Sequence, residues 1–162
     1  MITQIKSSIK TGLGFGLTSG VITTLGLIVG IYSGTESKIA VIGGIFTIAV
    51  ADAFSDALGI HVSQESQNQY SIKQIWIATL TTFLTKILFA LSFLIPIILI
   101  QFPLAIYISV GWGLSILSIF SYIIAKQEHQ NPSQVIAEHL VIGLVVILIT
   151  HLLGDWIASR YS

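Results

Sequence analysis

The chain has 162 residues, 54% of them apolar and only 9% charged. A soluble domain carries roughly 25% charged residues, so this composition, with a mean hydropathy of +0.91, excludes an ordinary soluble fold and calls for a lipid-embedded one. Seven basic and seven acidic residues cancel, which leaves no electrostatic basis for binding nucleic acid, and the absence of cysteine removes disulfides and thiolate metal sites.

In chain order, residues 2–11 put Ile2, Ile5 and Ile9 on one helical face and Lys6 and Lys10 off it. That pattern fits a short amphipathic segment on a membrane surface, or equally a polar start to the first span. The first span is expected at about 13–33; it lacks a small-residue cleavage site and is read as retained. Gly12, Gly16 and Gly20 recur every four residues, a spacing that lets a second helix come close to the backbone. Contact within the bundle and contact between protomers both fit this stripe, and a homodimer interface is the favoured expectation. Gly26, Gly30 and Gly34 repeat the spacing.

A short loop leads to the second span, about 39–62, and residues 63–74 are a polar connection. The third span is about 75–100, the fourth about 104–125 and the fifth about 138–158, with a tight turn at 101–103 and a break signal at Asn131-Pro132. Each span meets the requirement of roughly 20 residues for crossing the hydrocarbon. The expected fold is an all-α integral membrane protein: a bundle of five transmembrane helices with a short N-terminal amphipathic segment, in one membrane domain covering residues 1–162. Lys6, Lys10, Lys73 and Lys126 fall on one side and Lys38 and Arg160 on the other. The bias places the N-terminus in the cytoplasm and the C-terminus outside.

The chemistry is concentrated in residues 51–61, where Asp52 and Asp56 stand four residues apart inside an apolar run. That spacing puts both on one helix face. Charge within a bilayer is costly and marks ion paths or interior pairs. Counted from the cytoplasmic ends of their spans, Asp52 lies about 15 Å deep and Lys86 about 16 Å deep, at ~1.5 Å per residue. Asp56 is one turn nearer the cytoplasm, Ser19 is close to its level, and His61 is at the mouth. Hydroxyl and carboxylate oxygens at one depth suit a hard cation such as magnesium, manganese or ferrous iron. Asp52, Asp56, Ser19 and His61 are therefore the candidate metal ligands, and Lys86 is their charge partner within the membrane. A buried Asp52–Lys86 pair that only fixes packing is the competing reading. His151 reads as a hydrogen-bonded core histidine, and Glu128, His129, Glu138 and His139 as a solvated loop cluster.

The glycine- and threonine-rich run of residues 9–30, the segment 51–63 with its small and acidic residues, and residues 139–154 together resemble spans one, two and five of the vacuolar iron transporter-like family. The resemblance is to a short form that lacks the cytoplasmic metal-binding insertion. It implies a homodimer that moves ferrous iron or manganese out of the cytosol in exchange for protons. Ser19 stands where that family carries an aspartate, Asp52 where it carries a glutamate, Asp56 where it carries a methionine, and Ile60 where it carries a second glutamate. The expected function is a proton-coupled secondary transporter of a divalent metal cation, the metal being substrate and no resident cofactor being implied. The alternative is a non-transporting membrane scaffold or assembly protein. The expected partners are membrane lipid and a second copy of the chain. No enzyme is expected: an aspartyl protease needs aspartates from two helices, and the Gly-x-Ser-x-Gly motif of a serine hydrolase is absent.

Overall fold

The computed structural model describes residues 2–161, and among them the regular structure is all α-helical, joined by short turns. The helices are α1 (Ile2–Thr35), α2 (Lys38–Ser66), α3 (Ile72–Ser92), α4 (Leu94–Leu99), α5 (Leu104–Gln127) and α6 (Pro132–Tyr161). Five segments are long and apolar enough to cross a membrane, with α3 and α4 together forming one of them, Ile72–Leu99. The five-helix membrane architecture expected from composition and hydropathy is therefore observed.

Local chemistry explains the boundaries. Ser71 and Gln74 open α3 with a reciprocal capping box: the Ser71 N–H donates to Gln74 Oε1 at 2.9 Å and the Gln74 N–H to Ser71 Oγ at 3.4 Å. Ser37 caps α2 by accepting the Ala40 N–H at 3.2 Å. Asn131 caps α6 through the Ser133 N–H at 3.1 Å, with Pro132 at the first helical position. At the other ends, Glu36, Asn68 and His129 take positive φ just past α1, α2 and α5. This left-handed geometry closes a helix by turning the next N–H back on its last carbonyls. Pro96 lacks an N–H and its ring crowds the carbonyl four residues back, at Ser92, which is where α3 stops and α4 restarts after Phe93.

Two boundaries are settled by the structure. Of the two readings of residues 2–11, the polar start to the first span is the one observed, since α1 runs unbroken from Ile2 to Thr35. Nothing in residues 10–13 breaks it, and the hydroxyls of Ser8 and Thr11 donate to the carbonyls of Gln4 and Ser7 within the helix, at 3.3 and 3.1 Å. The polar connection 63–74 is also mostly helical, because α2 runs to Ser66 and the Ser71 box starts α3 early.

The chain forms two compact units, Met1–Gly20 with Phe46–Ser92, and Val21–Ile45 with Phe93–Ser162. Helices α1 and α2 contribute to both, so the division of the single expected domain follows no linker. The first unit has a core of small and hydroxylic residues: Ala49, Ala53, Ala57, Ala78, Thr82 and Thr85 are buried, together with Leu17 and Lys86. The second has larger apolar groups, among them Leu25, Ile28, Phe93, Ile97 and Leu117.

In the first unit the glycine stripe of α1 lies against α3. A Cβ on Gly12 would come within 2.7 Å of the Ala78 carbonyl oxygen, and one on Gly16 within 2.6 Å of that of Thr82. Of the two uses expected of Gly12, Gly16 and Gly20, helix packing within the bundle is observed, and it leaves this stripe no room to serve as the homodimer interface. The stripe packs within the chain, because α3 offers alanine and threonine at the same period.

Gly16→Leu should lower thermal stability in detergent by at least the 1–3 kcal/mol typical of overpacking. Gly14→Leu, whose Cβ would meet nothing within 4 Å, should leave the melting temperature unchanged. Equal effects of the two would remove the α1–α3 seam.

Candidate functional site

Three helices of the first unit converge on one side chain. Lys86 lies on the buried face of α3, in register with Ile75, Ala78, Thr79, Thr82 and Ala90, and only 1% of it is exposed. Its Nζ donates to Ser19 Oγ of α1 at 2.8 Å. It also donates to Asp56 Oδ2 of α2 and lies 2.5 Å from Asp52 Oδ2, one turn along the same helix. Ser19 in turn donates its hydroxyl to Asp56 Oδ2 at 2.6 Å. The ammonium therefore has two hydrogen-bond acceptors and a third contact, with Asp52, that is an ion pair only, and Ser19 links it to Asp56.

The site is anchored by the residues beside it. Gly20, next to Ser19, lets α1 reach the Lys86 backbone: a Cβ there would be 3.2 Å from the Lys86 carbonyl oxygen and 3.3 Å from its Cγ. On α2, Ala49, Ala53 and Ala57 are buried alongside the two aspartates, which lets that helix come close. The aspartates themselves remain partly accessible, Asp52 at 27% and Asp56 at 18%. Asp52 Oδ2 accepts no aligned hydrogen bond despite its contact with the ammonium. The lysine is thus the buried member of the cluster and the aspartate side chains its more exposed ones, although Asp52 Oδ2 itself is buried.

Of the expected metal ligands, Asp52, Asp56 and Ser19 come together, and Lys86 bridges both aspartates as their depths implied. His61 does not join them. It lies five residues past Asp56, which at 3.6 residues per turn carries it about 140° round α2. Its Nδ1 instead pairs with Thr79 Oγ1 at 3.1 Å, and its ring meets Trp76 edge-on with centroids 4.8 Å apart. The Thr79 hydroxyl donates its own proton to the Ile75 carbonyl at 2.8 Å, so the histidine is the donor in that contact. His61, with Phe54, Trp76 and Phe83, lines an apolar cleft of about 390 Å³. Among the described residues no group of three or more His, Cys, Asp or Glu side chains is placed to hold a metal ion. The oxygens of Asp52, Asp56 and Ser19 remain the possible cation ligands.

Other polar groups fall outside this cluster. His151, expected in the core, is half exposed and bridges Ser33 Oγ at 2.5 Å and Asp155 Oδ2 at 3.5 Å. Its helix, α6, buries few of its side chains. His139 pairs with Ser121 Oγ at 2.7 Å, and Glu138 accepts from Gln134 at 3.0 Å. Sequence reasoning missed Thr79 as the partner of His61, although its register with Lys86 on the buried face of α3 was readable. It also missed Ser33, which no spacing ties to a histidine 118 residues away.

No family model, curated protein or solved structure matches the chain. The site must be read from its own chemistry.

Lys86→Met should destabilise the protein by roughly 3 kcal/mol, because it leaves two carboxylates facing each other without a counter-charge. Adding Asp52→Asn and Asp56→Asn to that variant should recover most of the loss. A triple variant no more stable than Lys86→Met in a thermal melt would show that the three charges do not form one unit.

Proposed function

We propose that this chain is a proton-coupled secondary transporter that moves a cation out of the cytosol through the Asp52–Asp56–Lys86 site. The resemblance to vacuolar iron transporter-like proteins nominates divalent iron or manganese as cargo. One observation carries the reading: two membrane-depth carboxylates face a single buried lysine. A packing device needs one carboxylate per lysine, whereas the second leaves the site with one negative charge in excess. Intramembrane ionisable groups in that state mark ion and proton pathways. A proton and a cation can each neutralise the excess, and competition between them couples their movements.

The positional logic is consistent with this role. Carboxylate and hydroxyl oxygens are ligands for hard cations, and the aspartates lie on the accessible side of the cluster. The basic residues Lys6, Lys10, Lys73 and Lys126 favour a cytoplasmic N-terminus and an external C-terminus. A homodimer, which the resemblance also implies, has to use a face other than the α1 glycine stripe. The second reading is a non-transporting scaffold, favoured by the fact that Lys86 is already paired with both aspartates and with Ser19. The two readings differ over Asp56: a scaffold tolerates its neutralisation, and a transporter does not.

In proteoliposomes carrying a pH-sensitive dye and an imposed proton gradient, Asp56→Asn should abolish cation-driven proton movement while the protein still elutes as a folded species. Normal flux in Asp56→Asn would sink the transporter reading and leave the scaffold. Reporter fusions at Lys73 and at the C-terminus should fall on opposite sides of the membrane, and finding both on one side would remove the proposed orientation.

A further inference from the structure

The cleft between α2 and α3 carries a polar atom that neither the packing nor the ion cluster uses. Thr79 Oγ1 gives its own proton to the Ile75 carbonyl, so His61 Nδ1 is the donor in the 3.1 Å contact between the two side chains. A neutral imidazole has one N–H. Its lone pair is therefore on Nε2, which has no hydrogen-bond partner among the described residues and is not sealed from the surface. Thr79 thus fixes one tautomer of His61 and leaves an acceptor nitrogen open on a ring that lines a cleft of about 390 Å³.

The rest of the lining is aromatic and aliphatic. The Phe54 and Phe83 rings stand 4.6 Å apart, and the His61 and Trp76 rings 4.8 Å apart. The two pairs are seven residues apart on each helix, about 10 Å at the rise of an α-helix. That length and volume fit one small ring system, at the lower end of the roughly 300–1,000 Å³ of small-molecule sites. Trp76 lies in the second turn of α3, so the polar end of the cleft is at the membrane end of the span, the level at which amphipathic rings settle.

We propose that this cleft binds a membrane-soluble phenol or hydroquinone, its hydroxyl donating to His61 Nε2 and its ring packed among Phe54, Trp76 and Phe83. The hydrogen-bonding inventory selects this class. An acyl chain fills the volume and leaves Nε2 without a donor. An ionised carboxylate or phosphate has no proton to give and sets its oxygens against the nitrogen lone pair. An ammonium has three protons to place and meets one open acceptor, so the others stay unpaired in an apolar cleft. A hydroxyl has one proton for Nε2 and lone pairs left for the indole N–H of Trp76. An aromatic body adds offset and edge-on contacts with the rings of the lining. The site does not depend on the transport reading, because none of its residues belongs to the Ser19–Asp52–Asp56–Lys86 cluster.

Trp76 reports on the site. The test uses the full chain in detergent with Trp112→Phe and Trp156→Phe, which leaves Trp76 as the one indole of three. tert-Butylhydroquinone should quench its fluorescence saturably, and the dimethyl ether of the same compound should bind about tenfold more weakly, the loss of one hydrogen bond. His61→Phe keeps a ring against Trp76 and removes the acceptor, and it should bring the two compounds to equal affinity. Equal affinity in the chain that retains His61, or an undiminished preference in His61→Phe, would overturn the proposal. So would quenching by both compounds that rises without saturating, the sign of partition into detergent alone. Should a variant fail to fold, saturation-transfer NMR on the wild-type chain makes the same comparison of hydroquinone and ether.

Discussion

A lysine ammonium with 1% of its surface exposed sets the terms for the first unit. Moving such a charge out of water costs of order 20 kcal/mol in the idealised limit, and several kcal/mol after relaxation. Only close partners of opposite charge and hydrogen-bond acceptors can offset that: α2 supplies two carboxylates, of which Asp56 accepts a hydrogen bond, and α1 supplies the Ser19 hydroxyl. To bring three helices to one point, the helices must approach nearer than bulky side chains allow. The small residues follow from that requirement: Gly16 and Gly20 on α1, Ala49, Ala53 and Ala57 on α2, and Ala78 and Thr82 on α3. Threonines suit the seam because each hydroxyl can donate to its own helix, as Thr79 and Thr82 do to the carbonyls of Ile75 and Ala78, and so adds no unpaired polar group to the membrane interior.

The stoichiometry of the cluster separates structure from function. One lysine and one aspartate would satisfy packing, and an apolar pair of the same volume often does so at no loss. The second aspartate adds a burial cost that the lysine cannot fully offset. Ser19 supports Asp56 with a donated hydrogen bond, and both carboxylates stay partly accessible. A cluster with surplus charge is costly to keep for packing alone, which is why a role in ion movement is proposed for it.

Much of this was legible in the sequence. The spacing of Asp52 and Asp56 fixed their common face, and helical rise alone matched the depth of Lys86 to theirs, because both quantities depend only on backbone geometry. His61 was misplaced because proximity in sequence was read as proximity in space; five residues on a helix point nearly the opposite way. The glycine stripe was read correctly as a close-packing surface, but its partner was not. A stripe of small residues specifies that something comes near and carries no information about which helix does. Ser33 and His151 meet across 118 residues, a contact that only the tertiary fold defines.

In the second unit α1 and α6 meet backbone to backbone, where a Cβ at Gly154 would lie 2.5 Å from the Gly30 carbonyl oxygen. Other helices there grip by side chains that plug into glycine gaps: a Cβ at Gly113 would lie 2.6 Å from Leu25 Cδ1, and one at Gly44 2.6 Å from Ile31 Cδ1. Knobs of that kind resist sliding, because moving them means lifting a branched side chain out of its hole. In the first unit α1 meets α3 largely backbone to backbone. At Gly12, Gly16 and Gly20 the neighbours are the Ala78, Thr82 and Lys86 carbonyls, with short threonine side chains between. Such a seam has few interlocking features, and its main resistance to displacement is the ion cluster at Ser19, Asp52, Asp56 and Lys86. Charge is then both the lock on the α1–α3 contact and the chemistry of the site. Weakening the ion cluster would therefore loosen a contact shared by all three helices, leaving the glycine seam to hold α1 on α3 and the His61–Thr79 and Phe54–Phe83 contacts to hold α2 on α3.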